Sequence, residues 1–148
     1  MSSPQASPPI ARPELSLELE LTPAFHDLDP MQVVWHGNYL RYLERARCAL
    51  MARFDYDVPQ MAASGFHWPI VELQQKFVAP IRYGQRVIVR AQLTEWENRL
   101  RVEYLIRDAV SGRRLHRAHT TQVAVSIATG EMQFVCPEIL WERLGVKP

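Results

Sequence analysis

The sequence predicts an α+β domain in which a curved antiparallel sheet wraps one long central helix. Two observations carry this. Residues 38–54 repeat their apolar side chains at spacings of three and four, the signature of an amphipathic helix. After them come about four runs in which apolar and polar residues alternate, separated by short turn sequences. A sheet made of such runs has an apolar face to bury, and the long helix is the one sizeable cover available.

The elements follow in order. Residues 1–13, rich in Ser, Pro and Ala and without the apolar run of a secretory signal, read as a disordered tail before a single domain at 14–148. Residues 15–21 place Leu15, Leu17, Leu19 and Leu21 on one face and Ser16, Glu18 and Glu20 on the other, a half-buried strand that Pro23 ends. A polar, turn-rich loop spans 25–37. In the helix that follows, Tyr39, Leu40, Leu43, Ala46, Leu50 and Met51 form the apolar stripe, and Arg41, Glu44, Arg45, Arg47 and Arg53 the polar face. Residues 55–65 connect, with a short helical turn expected at 60–63. Strands are expected at 68–78, 86–96, 100–106 and 115–127, with turns at Glu97-Asn98 and Ser111-Gly112. The later strands, joined by hairpins, should be sequential neighbours in the sheet. A short segment at 132–135 precedes a C-terminal helix at 137–144, with Pro137 in its first turn.

Composition narrows the function. Hydrophobic residues make up 47% of the 148, enough for a packed core. The formal net charge is +1, which supplies no basic field for nucleic acid. No apolar run is long enough to cross a membrane as a helix, so no membrane insertion is expected. Cys48 and Cys136 lack any metal-type spacing and read as reduced thiols, with the cytoplasm as the expected location.

The chemistry is concentrated in the loop. It places two carboxylates, Asp27 and Asp29, and then His36 immediately before the helix start. A helix N-terminus offers unpaired backbone N–H groups and partial positive charge, which suit an oxygen acquiring negative charge. A carboxylate nearby can attack a carbonyl or deprotonate water. One short segment thus holds both halves of an acyl-transfer reaction.

The pattern Asp27-x-Asp29, Val33-Val34-Trp35, His36 and Tyr39, continued by Tyr42-Leu43-Glu44-Arg45-Ala46-Arg47, resembles the 4-hydroxybenzoyl-CoA thioesterase and YbgC-like branch of the hot-dog superfamily. Phe77-x-x-Pro80 and Tyr83-Gly84 extend the resemblance. It implies a hot-dog fold and hydrolysis of an acyl-CoA, with no cofactor and no metal. It also implies a homodimer or homotetramer with the acyl pocket between subunits. Asp29 becomes the nucleophile or general base. The His36 N–H points at the thioester oxygen, and its imidazole contacts the thioester or positions water. Val34, Trp35, Tyr39 and Arg99 become substrate-binding residues. Asp27 orders the loop through backbone bonds, and Tyr39 serves mainly as packing.

Other readings stand beside this one. His26, Asp27, Asp29 and His36 contain donor types for a metal but no known ligand spacing. Glu72 is a second candidate carboxylate, and Arg113 and Arg114 join Arg99 as candidates for the CoA phosphates. Met31, Met51, Met61 and Phe66 are candidate pocket or core residues. A hot-dog protein that binds acyl-CoA or acyl carrier protein without turnover is the alternative function, and an acyl-thioester hydratase or dehydratase the third.

Overall fold

The computed structural model describes residues 12–148. The expected tail at 1–13 lies outside them except for its end, where Pro13 opens a single 3-10 turn, Pro13–Leu15.

In chain order the elements are β1 (Ser16–Leu21), α1 (Tyr39–Arg53), α2 (Val58–Ala63), β2 (Phe66–His67), β3 (Ile70–Phe77), β4 (Val87–Glu95), β5 (Leu100–Asp108), β6 (Arg114–Gln122), β7 (Val125–Ser126) and α3 (Glu138–Leu144). Five strands form one antiparallel sheet in the order β1-β4-β5-β6-β3, and β2 pairs with β7 beside it. α1 lies across the sheet. Its buried side is Tyr39, Tyr42, Leu43, Ala46, Leu50 and Met51, so Tyr42 takes the place expected of Leu40, which is only half-buried. Facing it, Val87, Val89, Ala91 and Leu93 of β4 are buried while the residues between them are not, as the pleat requires.

The expectation of sequential neighbours holds for β4, β5 and β6. It fails for β3, which crosses the sheet to pair with β6 at the far edge. The connection between β3 and β4 is anchored by Ile81, which is fully buried. The strand expected at 115–127 is broken in two, and the one expected at 68–78 starts only at Ile70, with a separate short strand, β2, ahead of its expected range. The ladder of β3 and β6 ends at Ile70 opposite Gln122, where Pro69 has no N–H to continue it. β2 and β7 pair with each other instead. α2 starts earlier than expected because Asp57 caps it, accepting from the Val58 N–H at 2.8 Å, with Gln60 reaching back to the Asp57 N–H at 3.1 Å. Pro137 is the cap of α3 and lies just before its first turn.

The topology leaves β3 at an edge, and most of its residues are exposed on both faces. β4, β5 and β6 each bury one face, while β1, at the opposite edge, has Leu17 and Leu19 half-buried.

Candidate active site

Two hydrogen-bonded devices hold the loop between β1 and α1. The first is a reverse turn at 29–32, with Pro30 at its second position. The Gln32 N–H donates to the Asp29 carbonyl at 2.9 Å and the Asp29 N–H donates to the Val33 carbonyl at 2.9 Å. Gln32 adopts φ 64°, a left-handed conformation that costs a side-chain-bearing residue energy and is typical of sites whose geometry matters. Val33 bridges Arg82, and the Val34 N–H donates to the Ile81 carbonyl at 2.8 Å, pinning the turn to the crossover.

The second device is Asp27. Its Oδ2 accepts from the Ala24 N–H at 3.0 Å and from the Tyr42 hydroxyl at 2.7 Å. Its carbonyl accepts from the Trp35 N–H and from Asn38 Nδ2, both at 2.9 Å. Asp27 therefore ties the loop to the first turns of α1 from both ends. Burial alone would raise its pKa, but the bonds from Tyr42 and Ala24 and the nearby His26 outweigh it and hold the carboxyl below its ordinary value. Asp27 orders the loop as expected, but its side chain does so through the N–H three residues before it and the Tyr42 hydroxyl, because the Asp29 N–H two residues on is taken by the Val33 carbonyl. Tyr42 lies three residues after Tyr39, so the helical period already placed it near the buried stripe.

Replacing Tyr42 with Phe should lower stability by about 1.5–3 kcal/mol at neutral pH, the range for a bond to a charged group. The pH dependence has a definite sign. A carboxyl held low stabilises the fold fully above its unfolded pKa, near 3.9, and that contribution fades as pH falls through the folded value. Losing the Tyr42 bond raises the folded pKa toward the unfolded one, so the variant has less of this stability to lose and the gap between the two proteins should narrow as pH falls below about 3.9. Urea titrations of both proteins at pH 7 and about pH 3 check this; an unchanged gap would refute it.

Asp29 is half-buried between these devices. Its Oδ1 accepts from the Met31 N–H at 2.8 Å and, at 3.5 Å, from the Val33 N–H. Oδ2 has no hydrogen bond among the described residues, so one carboxylate oxygen is fixed and the other is free. A 3-10 turn, His36–Asn38, runs directly into α1. Among the described residues the N–H groups of His36 and Gly37 have no acceptor, as the first positions of such a turn require. The Trp35 indole folds back over Gly37, so any Cβ there would run into the ring. The same indole tilts against the His36 ring, with centroids 5.1 Å apart.

The other expected site residues divide. Val34 is buried and belongs to the core, while Trp35 is 48% exposed at the mouth of the loop. Tyr39 packs, as expected, its ring centroid 4.8 Å from Phe77 and 4.5 Å from His116. Burial raises its pKa, against a hydrogen bond to the Ile81 backbone that lowers it, and the charge of Asp29 adds to the rise. Arg99 lies at the β4–β5 turn, bonded to Glu95 at 2.6 Å. The Asp29 loop sits at the other end of β4, about 26 Å away by strand rise. One chain therefore does not bring Arg99 to Asp29. Glu72 is exposed and bonded to His119 at 2.8 Å, on the sheet face turned away from α1. His26 is exposed, its Nε2 3.7 Å from Asp27 Oδ1, and among the described residues no three His, Cys, Asp or Glu side chains converge. Met51 is core, whereas Met61 and Phe66 line a groove of about 450 Å³ with Arg47, Trp68, Ile70 and Gln122.

His116 had no signal in the sequence. It is fully buried beneath Tyr39 and Phe77, and burial lowers its pKa to about 4, so the ring is neutral at pH 7. Gln75 Oε1, 3.0 Å away, can only accept, so Nε2 carries the proton and Nδ1 is left without a partner.

A curved antiparallel sheet around one helix, with a structured loop feeding that helix, defines the hot-dog class. Solved structures bear out the class. A Thermus thermophilus protein is 29% identical, with TM-score 0.76 over 86% of this chain and 96% of that one. A 1,4-dihydroxy-2-naphthoyl-CoA thioesterase from Synechocystis is 22% identical, with TM-score 0.78 over 88% and 96%. An Asp→Asn mutant of 4-hydroxybenzoyl-CoA thioesterase, complexed with 4-hydroxybenzoyl-CoA, is 19% identical, with TM-score 0.76 over 88% and 99%. The chain belongs to the thioesterase-like superfamily, whose family model matches residues 23–140. Among curated proteins, a candidate esterase of Synechocystis sp. is 29% identical over 126 residues, 80% of this chain and 72% of its own length. An acyl-acyl carrier protein thioesterase of Arabidopsis thaliana is 30% identical over 77 residues, 52% of this chain and 40% of its own.

Proposed function

We propose that this protein hydrolyses an acyl-CoA to the free acid and CoA, with Asp29 as the reacting carboxylate. The observation that carries the reading is the pairing of a free Asp29 Oδ2 with the unpaired N–H groups of His36 and Gly37, both held by the Asp27 clamp. The thioester oxygen sits at those donors, which stabilise the oxyanion as the carbonyl carbon becomes tetrahedral. Asp29 either forms a bond to that carbon, giving an anhydride that water later cleaves, or takes a proton from the attacking water. In both routes the thiolate of CoA departs and is protonated by solvent. Single turnover in ¹⁸O-water can reveal direct attack, since label enters Asp29 when water opens the anhydride at the aspartyl carbon, an outcome the general-base route does not give.

The site is completed by a second copy of the chain. β3 offers an unpaired edge with Val71, Leu73, Phe77 and Val78 exposed, and two such edges pair into one continuous sheet. Arg99 then contacts CoA phosphates from the neighbouring chain, the arrangement the single chain's geometry requires if it acts at all. The assembly is a homodimer or a homotetramer of such dimers. The groove of Met61, Phe66 and Trp68 opens beside Arg47, eight residues and about 12 Å along α1 from Tyr39, a suitable place for an apolar acyl tail.

The test is a panel of acyl-CoAs, aromatic and aliphatic, short and long, assayed by release of free thiol. Turnover of at least one supports hydrolysis. Binding without thiol release would favour the non-hydrolytic alternative. Within the same assay, His36→Ala should lower turnover by less than tenfold, because its backbone donor survives and oxyanion stabilisation resides there. A loss as large as that of the Asp29 variant would assign the imidazole an essential role.

A further inference from the structure

The sheet face turned away from α1 carries a concentration of positive charge that thioester hydrolysis does not use. A groove of about 680 Å³ crosses it, lined by Lys76, Arg90, Arg101, Arg114 and Arg117, with Glu103 the one carboxylate. The strand register explains the clustering. Arg90 of β4 lies opposite Leu105 of β5, Leu105 opposite Arg117 of β6, and Arg117 opposite Lys76 of β3. One row across four strands thus places three cations about a buried leucine. In the next row Arg107 faces Arg114. Like charges directly opposite one another destabilise a sheet.

Elsewhere several surface arginines are paired, although Arg41, Arg45, Arg82 and Arg113 also stand without an ion pair among the described residues. Arg86 bonds Glu20, Arg99 bonds Glu95, Arg107 bonds Glu18 and Arg143 bonds Asp55, all within 2.8 Å. Among the described residues Lys76, Arg90, Arg114 and Arg117 have neither an ion pair nor a side-chain hydrogen bond, and Arg114 Nε is buried without an acceptor. Arg90 is half-buried, and burial lowers its pKa, with Arg107 and Arg114 adding to that effect against Glu18 and Glu103. A chain with net charge +1 has gathered four unpaired cations in one concavity.

We propose that this groove is a second ligand site, built for a small molecule carrying two or more phosphate charges. Guanidinium forks on β4 and β6, flanking Leu105 of the strand between them, can match phosphate oxygens in pairs, and Leu105 supplies an apolar floor for the rest of the ligand. The groove's volume is that of a small-molecule site, and the near-neutral chain lacks the wider field that nucleic acid requires. The site is separate from Asp29, which lies on the other side of the sheet, and edge-to-edge pairing through β3 leaves this face open. It stands whether or not the chain hydrolyses thioesters.

Inorganic pyrophosphate and ADP, titrated calorimetrically into the full chain, test it. Saturable binding at one site per chain is expected, weakening steeply with added NaCl, with ADP at least as tight as pyrophosphate if the Leu105 floor is used. The double variant Lys76→Gln/Arg117→Gln should lose at least tenfold in affinity and keep an unchanged or higher melting temperature without ligand. Amide and methyl NMR shifts of the unmodified protein, which need no variant, should localise the pyrophosphate response to β4, β5 and β6 around Leu105. Absence of saturable binding, unchanged affinity in the double variant, or shifts confined to the Asp29 loop would overturn the proposal. So would a double variant that gains a higher oligomeric state without ligand, since the face would then be a contact between copies held apart by its charge.

Discussion

Asp29→Asn should reduce turnover by about 10²-fold or more while leaving the fold intact, in line with the loss of a general base or nucleophile. The substitution is nearly isosteric, so the side-chain oxygen that accepts from the Met31 N–H can remain in place and the reverse turn should hold. What disappears is the charge on the second oxygen, the one without a partner. An amide neither attacks a thioester carbonyl at a useful rate nor takes a proton from water. The melting temperature should move by no more than a degree or two, because half-exposed turn residues contribute little to stability. Thiol release under saturating acyl-CoA, with the melting curve as control, decides it. Near-normal turnover in a folded variant would remove Asp29 from the chemistry. Asp27 would be a poor substitute, since both Tyr42 and Ala24 occupy its Oδ2. Glu72 would also be remote, being held by His119 on the face away from α1.

The parts of this structure that were legible in the sequence are those governed by local periodicity. The stripe on α1 and the alternation of β4 and β5 each follow from one side of an element meeting the core, and both are written in spacing alone. Asp29 and the helix start were legible because they lie close together along the chain. The rest depends on partners far apart in sequence. The position of β3 beyond β6 is set by pairing, and no local pattern in 70–77 distinguishes a strand next to β4 from one at the far edge. The breaks at Trp68–Pro69 and after Gln122 look like one fault only when the two segments are seen side by side. His116 reads as a surface residue in a run of Arg and His, and becomes a buried neutral ring because its register opposite Ile106 puts it on the covered face with Ala118 and Thr120, against Tyr39. Arg99 shows the converse. Its residue type suited a phosphate contact, but its place at the far end of β4 separates it from Asp29 within one chain.

Leu73→Asp should convert the protein to a monomer and abolish measurable turnover. β3 is lightly protected for an edge strand, with a bulge at its start and the charges of Glu72 and Lys76 on one face only. It is eight residues long, contains no proline and a single lysine, and shows Val71, Leu73 and Phe77 to solvent. An isolated domain with such an edge would be prone to open-ended association; pairing β3 with its symmetry mate around a twofold axis closes the assembly at two copies. Leu73 lies on the face shared with Thr120 and Val102, the face α1 covers, and is only 37% exposed in the single chain. A carboxylate there would be buried without a partner at the joined edges, a cost of several kcal/mol counted twice in a symmetric dimer. In the monomer the same carboxylate reaches water, so the chain should stay folded, with its far-ultraviolet dichroism unchanged. Turnover should fall on the proposed arrangement, in which each chain supplies half of the acyl pocket and the neighbour's Arg99 serves the Asp29 loop. Light scattering and thiol release on one sample test both halves together. A variant that remains dimeric would move the interface away from β3. A monomeric variant with full turnover would place the whole site within one chain and remove the neighbour's role.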